Sequence, residues 1–356
     1  MSRLRKPKGT PRELGYSFPP EWAPHQATWL SWPRPEGISF PDKYHTVPAN
    51  LAAIVREIAA RERVEINVPN GNYERIVREQ LRDHGCPPRN VRFHHIPTNE
   101  CWCRDHGPAF VLRRRGGKTQ AAVVDWGFNA WGGKYPPFDA DDNVPTRVAQ
   151  LLDLPVFYPG IVMEGGAVDF NGAGTVLTTS SCLLNKNRNP GLSRDQIERY
   201  LKDFYGQRHV IWLGEGIAGD DTDGHIDDLA RFVDPRTVVV GVEADPRDEN
   251  YRPLQDALRR LRKATDQDGR PLRVVEMPMP GVVEHDNQRL PATYMNFYFV
   301  NGALLVPTYR RRKNDRAALA VLQSLLPDRK VIGIDCTELI WGLGAIHCLT
   351  QQQPRW

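Results

Sequence analysis

Four short stretches of this 356-residue chain bring together side chains suited to nucleophilic and acid–base chemistry. The stretch from Trp341 to Thr350, WGLGAIHCLT, sets the thiol of Cys348 after a glycine-rich loop. A thiol attacks only as thiolate, which needs a cation or hydrogen-bond donors nearby; without them a cysteine is an inert, buried apolar residue. Asp220 to Asp228, DDTDGHIDD, is the densest polar cluster, and the alternation of His225 and Asp227 sets imidazole and carboxylate on one face of an extended backbone. Glu164 lies in MEGG, where two glycines let backbone approach a ligand closely. Asp105, in WCRDHGP from Trp102 to Pro108, ends an extended run at a Gly-Pro break, a position that also suits a plain turn cap. Thiol, imidazole and carboxylates are the parts of covalent hydrolysis with acid–base assistance.

Other chemistries fail on spacing. A calcium loop counted back from Gly224 would begin at Gly219 and close at Ala230, neither of them acidic. Cys101, Cys103 and His106 are a fragment of a zinc set, but no second pair completes four ligands, so the two thiols are expected to pack on a strand. There is no P-loop, dinucleotide fingerprint or G-x-S-x-G elbow. The expectation is no metal and no organic cofactor. The net charge of +4 comes partly from a basic N-terminal tail, about residues 1–15, and from Arg113 to Arg115 and Arg310 to Lys313. Without an aromatic-rich basic stripe these read as solvated loops, not a nucleic-acid surface. No apolar run approaches the ~20 residues that span a bilayer, and none follows the basic start as in an export signal. Six scattered cysteines make no disulfide framework, which points to a reducing cytoplasm.

The elements that must position these groups form a repeating series. With 40% hydrophobic and 25% charged residues and no linker, residues 1–356 read as a single soluble domain. Helical periodicity runs through Leu51, Ile54, Val55 and Ile58, and through Leu254, Ala257, Leu258 and Leu261. Ser193 and Gln196 form a capping box before Ile197, Leu201 and Phe204; another helix carries Leu319 and Leu322 and ends before Pro327. Weaker helices occupy Tyr73 to Asp83 and Thr146 to Leu152. From Tyr73 onward each helix is followed by a β-rich run: Val91 to Ile96, Val156 to Ile161, Val210 to Leu213, Val274 to Met277 and Val331 to Ile334. A polar, Gly-rich segment follows each run, holding in turn Asp105, Glu164, His225 with Asp227, Tyr294 with Asn296, and Cys348. An open doubly wound α/β sheet would gather such residues at one switch point, whereas their recurrence at one phase of the repeat favours units closed around an axis.

The motifs, in order, resemble those of the agmatine deiminase family, which includes bacterial-type peptidyl-arginine deiminases and belongs to the guanidino-group-modifying superfamily. The similar stretches are EWAPHQATWLSW (Glu21 to Trp32), Trp102 to Pro108, FNAWGG (Phe128 to Gly133), Glu164 to Asn189, Trp212 to Val233, YMNFY (Tyr294 to Tyr298) and IHCLTQQQP (Ile346 to Pro354). The resemblance implies a five-bladed, pseudo-symmetric α/β propeller, the pentein fold. It implies Cys348 as nucleophile, His225 as acid/base, Glu164 beside it, Asp105 and Asp227 on the guanidinium, and Trp102 against the substrate. Two departures stand out: where agmatine deiminases usually read GGGNIHC this chain has Leu343 and Ala345, and Asp228 stands where an Asn is frequent.

A guanidinium is planar and cationic, with paired N–H donors that two carboxylates can take. The expected partner is therefore a small guanidino substrate, with a homodimer implied by family habit alone. Agmatine leads, free or peptidyl arginine is the alternative, and a non-catalytic binding module on the same fold is the second. Trp126, Phe128 and Trp131, in a Gly-rich stretch, could close over a cation or simply pack in the core.

Overall fold

The capping signal at Ser193 works as read: its Oγ accepts from the Gln196 N–H at 3.4 Å, and the Gln196 side-chain carbonyl accepts from the Ser193 N–H at 2.8 Å. The helix it opens, Arg194–Tyr205, stops at Gly206 with φ +66°, where a Cβ would come within 2.5 Å of the Tyr16 carbonyl oxygen. The computed structural model describes residues 4–86 and 89–356; the first three residues of the basic tail lie outside the described residues. The rest of that tail is docked, since the Val156 N–H donates to the Arg5 carbonyl at 2.9 Å.

The other periodic segments form helices Val47–Ala59, Gly71–Asp83, Val144–Leu151, Tyr251–Lys263 and Arg312–Leu325. Val47–Ala59 and Tyr251–Lys263 bury the apolar stripes read from sequence, whereas in Arg312–Leu325 Leu322 is buried and Leu319 only half-buried. The five expected strands form as Val91–His95, Val156–Phe157, His209–Leu213, Arg273–Pro278 and Lys330–Asp335. The second is much shorter than expected because Pro159 and Gly160, with φ +77°, turn the chain out of the ladder.

Four of these strands, all but Val91–His95, are each the last of a repeated unit: two antiparallel strands, a helical crossover, and a third strand parallel to the second. Ala109–Arg115, Lys118–Val124 and Val156–Phe157 form one such sheet; Val168–Phe170, Thr175–Thr179 and His209–Leu213 the next. Two more follow from Ala230–Phe232, Thr237–Val242 and Arg273–Pro278, and from Tyr298–Val300, Ala303–Thr308 and Lys330–Asp335. The remaining sheet joins the chain ends: Thr350–Pro354 lies antiparallel to His25–Ser31, which continues in parallel to Arg63–Val68 and Val91–His95. A two-stranded hairpin, Glu284–His285 with Gln288–Arg289, stands apart from these sheets. The architecture is thus mixed α/β. Among the described residues no helix is long and apolar enough to cross a membrane.

Candidate active site

Cys348 sits in a one-turn helix, Ile346–Leu349, after the Lys330–Asp335 strand. The Asn296 side chain holds this turn at two points: its Oδ1 accepts from the N–H groups of His347 (2.9 Å) and Cys348 (3.3 Å). Those two donors fix the amide's orientation, so its NH2 must face the sulfur, 3.0 Å away, and Asp228 Oδ1, at 3.1 Å. Asp227 Oδ2 lies 3.9 Å from the same sulfur. Burial pushes the Cys348 thiol well above its ordinary range, and the carboxylates of Asp227, Asp228 and Asp105 push it further.

Asp105 lies on another one-turn helix, Cys103–His106, not on the extended run expected from sequence, and Cys103 opens that turn where a strand was expected. Gly107 makes the turn: a Cβ there would meet the Cys103 carbonyl oxygen at 2.1 Å, so only glycine lets the chain leave this way. Both Asp105 oxygens are held, Oδ2 by Trp131 Nε1 at 3.0 Å and Oδ1 by the Gly166 N–H at 2.9 Å. Trp131 reaches it from a left-handed turn, with φ +52° at Ala130 and +54° at Trp131, a conformation costing a non-glycine residue about 1–2 kcal/mol. Gly166 has no room for a side chain, since a Cβ would sit 2.5 Å from His225 Nδ1.

His225 precedes a 3-10 turn, Ile226–Asp228, so it and Asp227 are not neighbours on an extended face as the alternation suggested. They converge nonetheless: His225 Nδ1 is 3.7 Å from Asp105 Oδ1, and Asp227 reaches the sulfur. Burial disfavours charge on His225, but Asp105, Asp227, Glu164 and Asp220 outweigh it and shift the imidazole above its ordinary range. Glu164 does not hydrogen-bond His225. Its Oε1 takes Arg188 Nε at 2.7 Å, while its Oε2 and His225 Nε2 lack a hydrogen-bond partner among the described residues. Arg188 is also held by Asp223 and by the Thr222 carbonyl at 2.8 Å. A ring nitrogen of His225, a Glu164 oxygen and the Cys182 sulfur lie within 4.8 Å of one another, as do ligand atoms of Asp227, Asp228 and Cys348. By atom type either trio could ligate a soft cation, but Arg188 already balances Glu164 and Asn296 already holds Cys348.

Trp102, Asp105, Trp131 and Cys348 line a cleft of about 250 Å³, continued outward by Leu343, Trp341, Tyr135 and Asp221. Trp102 is anchored by its Nε1 donating to Ser39 Oγ at 2.9 Å. A profile of the Porphyromonas-type peptidyl-arginine deiminase family matches residues 17–354 of the chain. The chain is 38% identical over 369 residues to agmatine deiminase of Ectopseudomonas mendocina, covering 97% of each. Among solved structures it superposes on Enterococcus faecalis agmatine deiminase with a TM-score of 0.91 at 32% identity, covering 99% of this chain and 100% of that one. A substrate-bound Cys-to-Ser variant of C. jejuni agmatine deiminase gives 0.86 at 33%, covering 96% of each.

The chain belongs to the Porphyromonas-type peptidyl-arginine deiminase family.

Within this deiminase family the departures just before Cys348, Leu343 and Ala345, now have a place. Gly342 and Gly344 are needed for close approach, because a Cβ on either would come within 2.5 Å of an aromatic ring, Phe40 or Trp102. Leu343 between them takes φ +66°, a left-handed backbone usually left to glycine, and its side chain helps wall the cleft of this deiminase. Ala345 is buried behind that wall.

The predicted residues Cys348, Asp105 and Trp102 line the cleft, while His225, Asp227 and Glu164 are buried behind it. Of the three aromatics in the Gly-rich stretch, Trp131 faces the cleft; Phe128 supports it edge-on at 5.3 Å, and Trp126 packs in a core against Tyr205. Tyr294, read alongside Asn296, points away and donates to Asp315 Oδ1 at 2.6 Å. Sequence reasoning missed the roles of Asn296, Arg188 and Asp228 in holding the cluster. Asn296 carried a signal in its recurrence at the repeat's polar phase; Arg188 and Asp228 carried only their place in family motifs.

Proposed function

We propose that this chain is an agmatine deiminase, converting the guanidinium of agmatine to a ureido group, with N-carbamoylputrescine and ammonia as products. One observation carries the choice of agmatine over arginine: the described residues lining the cleft include Asp105 and Asp221 but no lysine or arginine. An ammonium tail finds an acid there, whereas the carboxylate of free arginine finds no cation. Lys134, beside the mouth, is shared between Asp221 and Asp223 at 3.4 and 3.1 Å, so it only partly offsets the charge of Asp221.

In this reading Asp105 and Asp227 grip the guanidinium and hold its central carbon against the Cys348 sulfur. The cation offsets the acids that keep the thiol protonated, so substrate and thiolate favour each other. The thiolate adds to the carbon, and protonated His225 gives its proton to one nitrogen, which leaves as ammonia. Water then loses a proton to His225 and adds to the thiouronium carbon; collapse releases the ureido product and restores the thiol. Glu164, pinned by Arg188, sets a negative charge beside His225 and favours its protonated form. Trp102 and Trp131 wall the substrate.

We further propose that the five units close as a five-bladed propeller forming one deiminase domain; pairing of the last strand with the first supports closure. Homodimerisation and a cytoplasmic setting remain part of this proposal.

Measuring ureido product from agmatine, free arginine and an arginine peptide side by side tests the assignment. Agmatine is expected to lead by at least about 100-fold in kcat/KM, roughly the effect of one desolvated charge mismatch of about 3 kcal/mol. Equal or faster turnover of arginine would refute it. Asp221→Asn is expected to raise KM for agmatine about fivefold with little change in kcat, because the Asp221 side chain is partly exposed and such a contact is worth about 1 kcal/mol.

A further inference from the structure

Behind the nucleophile runs a buried chain of alternating charges, of which the reaction as described uses only the last member, Asp227. Arg231 Nη2 and Arg104 Nη2 lie 3.0 and 3.3 Å from Glu21 Oε2; the same oxygen meets His347 Nε2 at 2.7 Å, and His347 Nδ1 meets Asp227 Oδ2 at 2.6 Å. Every member is buried, and the chain is tied down at its ends: Arg231 Nε donates to Asp169 at 2.6 Å, Arg104 Nη1 to Gln352 Oε1 at 2.8 Å, and the Phe299 N–H to Glu21 Oε1 at 2.9 Å. Each ring nitrogen of His347 faces a carboxylate oxygen, so both must donate. Asp227 is thereby held by one oxygen alone. Its Oδ1 is buried and without a hydrogen-bond partner among the described residues.

We infer that His347 is a positioning residue: clamped between Glu21 and Asp227, it supplies the counter-charge that keeps Asp227 an anion with one oxygen open to the guanidinium. This rests on the deiminase reading of the site. Three acids crowd the sulfur, and two of them are shifted upward: Asp105 by burial and by Asp227 and Glu164, Asp228 by burial and by Asp227 and Asp220. Asp227 alone is shifted downward: burial opposes its charge as it does theirs, but the hydrogen bond and charge of His347 outweigh it, with lesser help from His225 and Arg231. Asp220, Asp228, Asp105 and the Cys348 thiol face the same carboxylate and act the other way. Arg231 reaches His347 only through Glu21, and Arg104 otherwise meets only its backbone carbonyl, at 3.4 Å, so the imidazole is the sole basic side chain in hydrogen-bond contact with Asp227 among the described residues.

The test is the choice Cys348 makes between two alkylating reagents in the ligand-free protein: cationic 2-chloroacetamidine and neutral iodoacetamide. In His347→Gln, Asp227 loses its counter-charge, so burial and the neighbouring acids raise its affinity for a proton. Amidine alkylation is then expected to slow about tenfold. Iodoacetamide alkylation is expected to quicken several-fold, because one less anion faces the sulfur and more thiolate forms. With agmatine, KM rises more than kcat falls. Glu21→Gln, which keeps the shape of the chain, shifts the ratio of the two rates in the same direction and serves if His347→Gln does not fold. An unchanged ratio in both variants, or both rates falling together, overturns the inference. A wild-type protein that shows the amidine preference but turns over no agmatine refutes the substrate assignment and leaves this inference standing.

Discussion

Replacing Cys348 with alanine is expected to abolish ammonia release from agmatine, lowering kcat by about 10⁴-fold or more, because the step that splits hydrolysis into two easier displacements is lost. The neighbours stay in place, since Asn296 holds the Ile346–Leu349 turn through backbone N–H groups and not through the sulfur alone. Binding therefore survives while chemistry stops, and KM or a dissociation constant for agmatine should move less than tenfold. The wild-type thiol carries a second signature. Its range is raised by burial and three acids, so a neutral reagent finds little thiolate at neutral pH, and alkylation climbs only as pH rises beyond the ordinary thiol range. A cationic amidine brings its own compensating charge and reacts well below that pH. Ammonia release that persists in Cys348→Ala would remove the covalent route altogether.

What could be read from the residues, and what could not, follows from the range of the forces involved. The capping box at Ser193 and the stripe of Leu254 to Leu261 are local, complete within a few residues, and they appear as read. The five polar segments were legible because each follows a strand of the same repeat, a regularity carried by order and not by contact. Short turns were not legible. Cys103–His106 and Ile226–Asp228 span a single turn each, too few residues for a period, and close approaches at Gly107 and Gly166 decide their shape. The same holds for Trp131 against Trp126: both sit in one glycine-rich stretch, and only the left-handed backbone at Ala130 and Trp131 sends one indole to Asp105 and leaves the other in the core. Longest in range are the charge pairs. Glu164 meets Arg188 from 24 residues away and Glu21 meets Arg231 from 210, and nothing in the local pattern around either acid names its partner.

The acid on the far side of the cleft gives the second large effect. Asp105 already accepts from Trp131 and Gly166, so an amide there would turn a donor toward one of those donors; Asp105→Asn adds a repulsion to the loss of charge. Asp105→Ala removes only the acceptor and is the cleaner variant. A charge-assisted pair of hydrogen bonds to a buried guanidinium is worth about 4 kcal/mol, so kcat/KM should fall about 10³-fold, with KM and kcat both affected because the same contact binds the cation and aims its carbon. Acetate or formate added to Asp105→Ala is expected to restore part of the rate by refilling the space with a carboxylate. The sign of the pH effect follows from the same residue. Burial raises Asp105 above its ordinary range in the empty site, so below that raised value the acid is protonated and agmatine must displace the proton to bind. KM for the wild type should therefore rise as pH falls through this range, and that rise should vanish in Asp105→Ala. If Asp105→Ala stays within tenfold of the wild type in both kcat and KM, the guanidinium is gripped elsewhere and the two-carboxylate cradle is wrong.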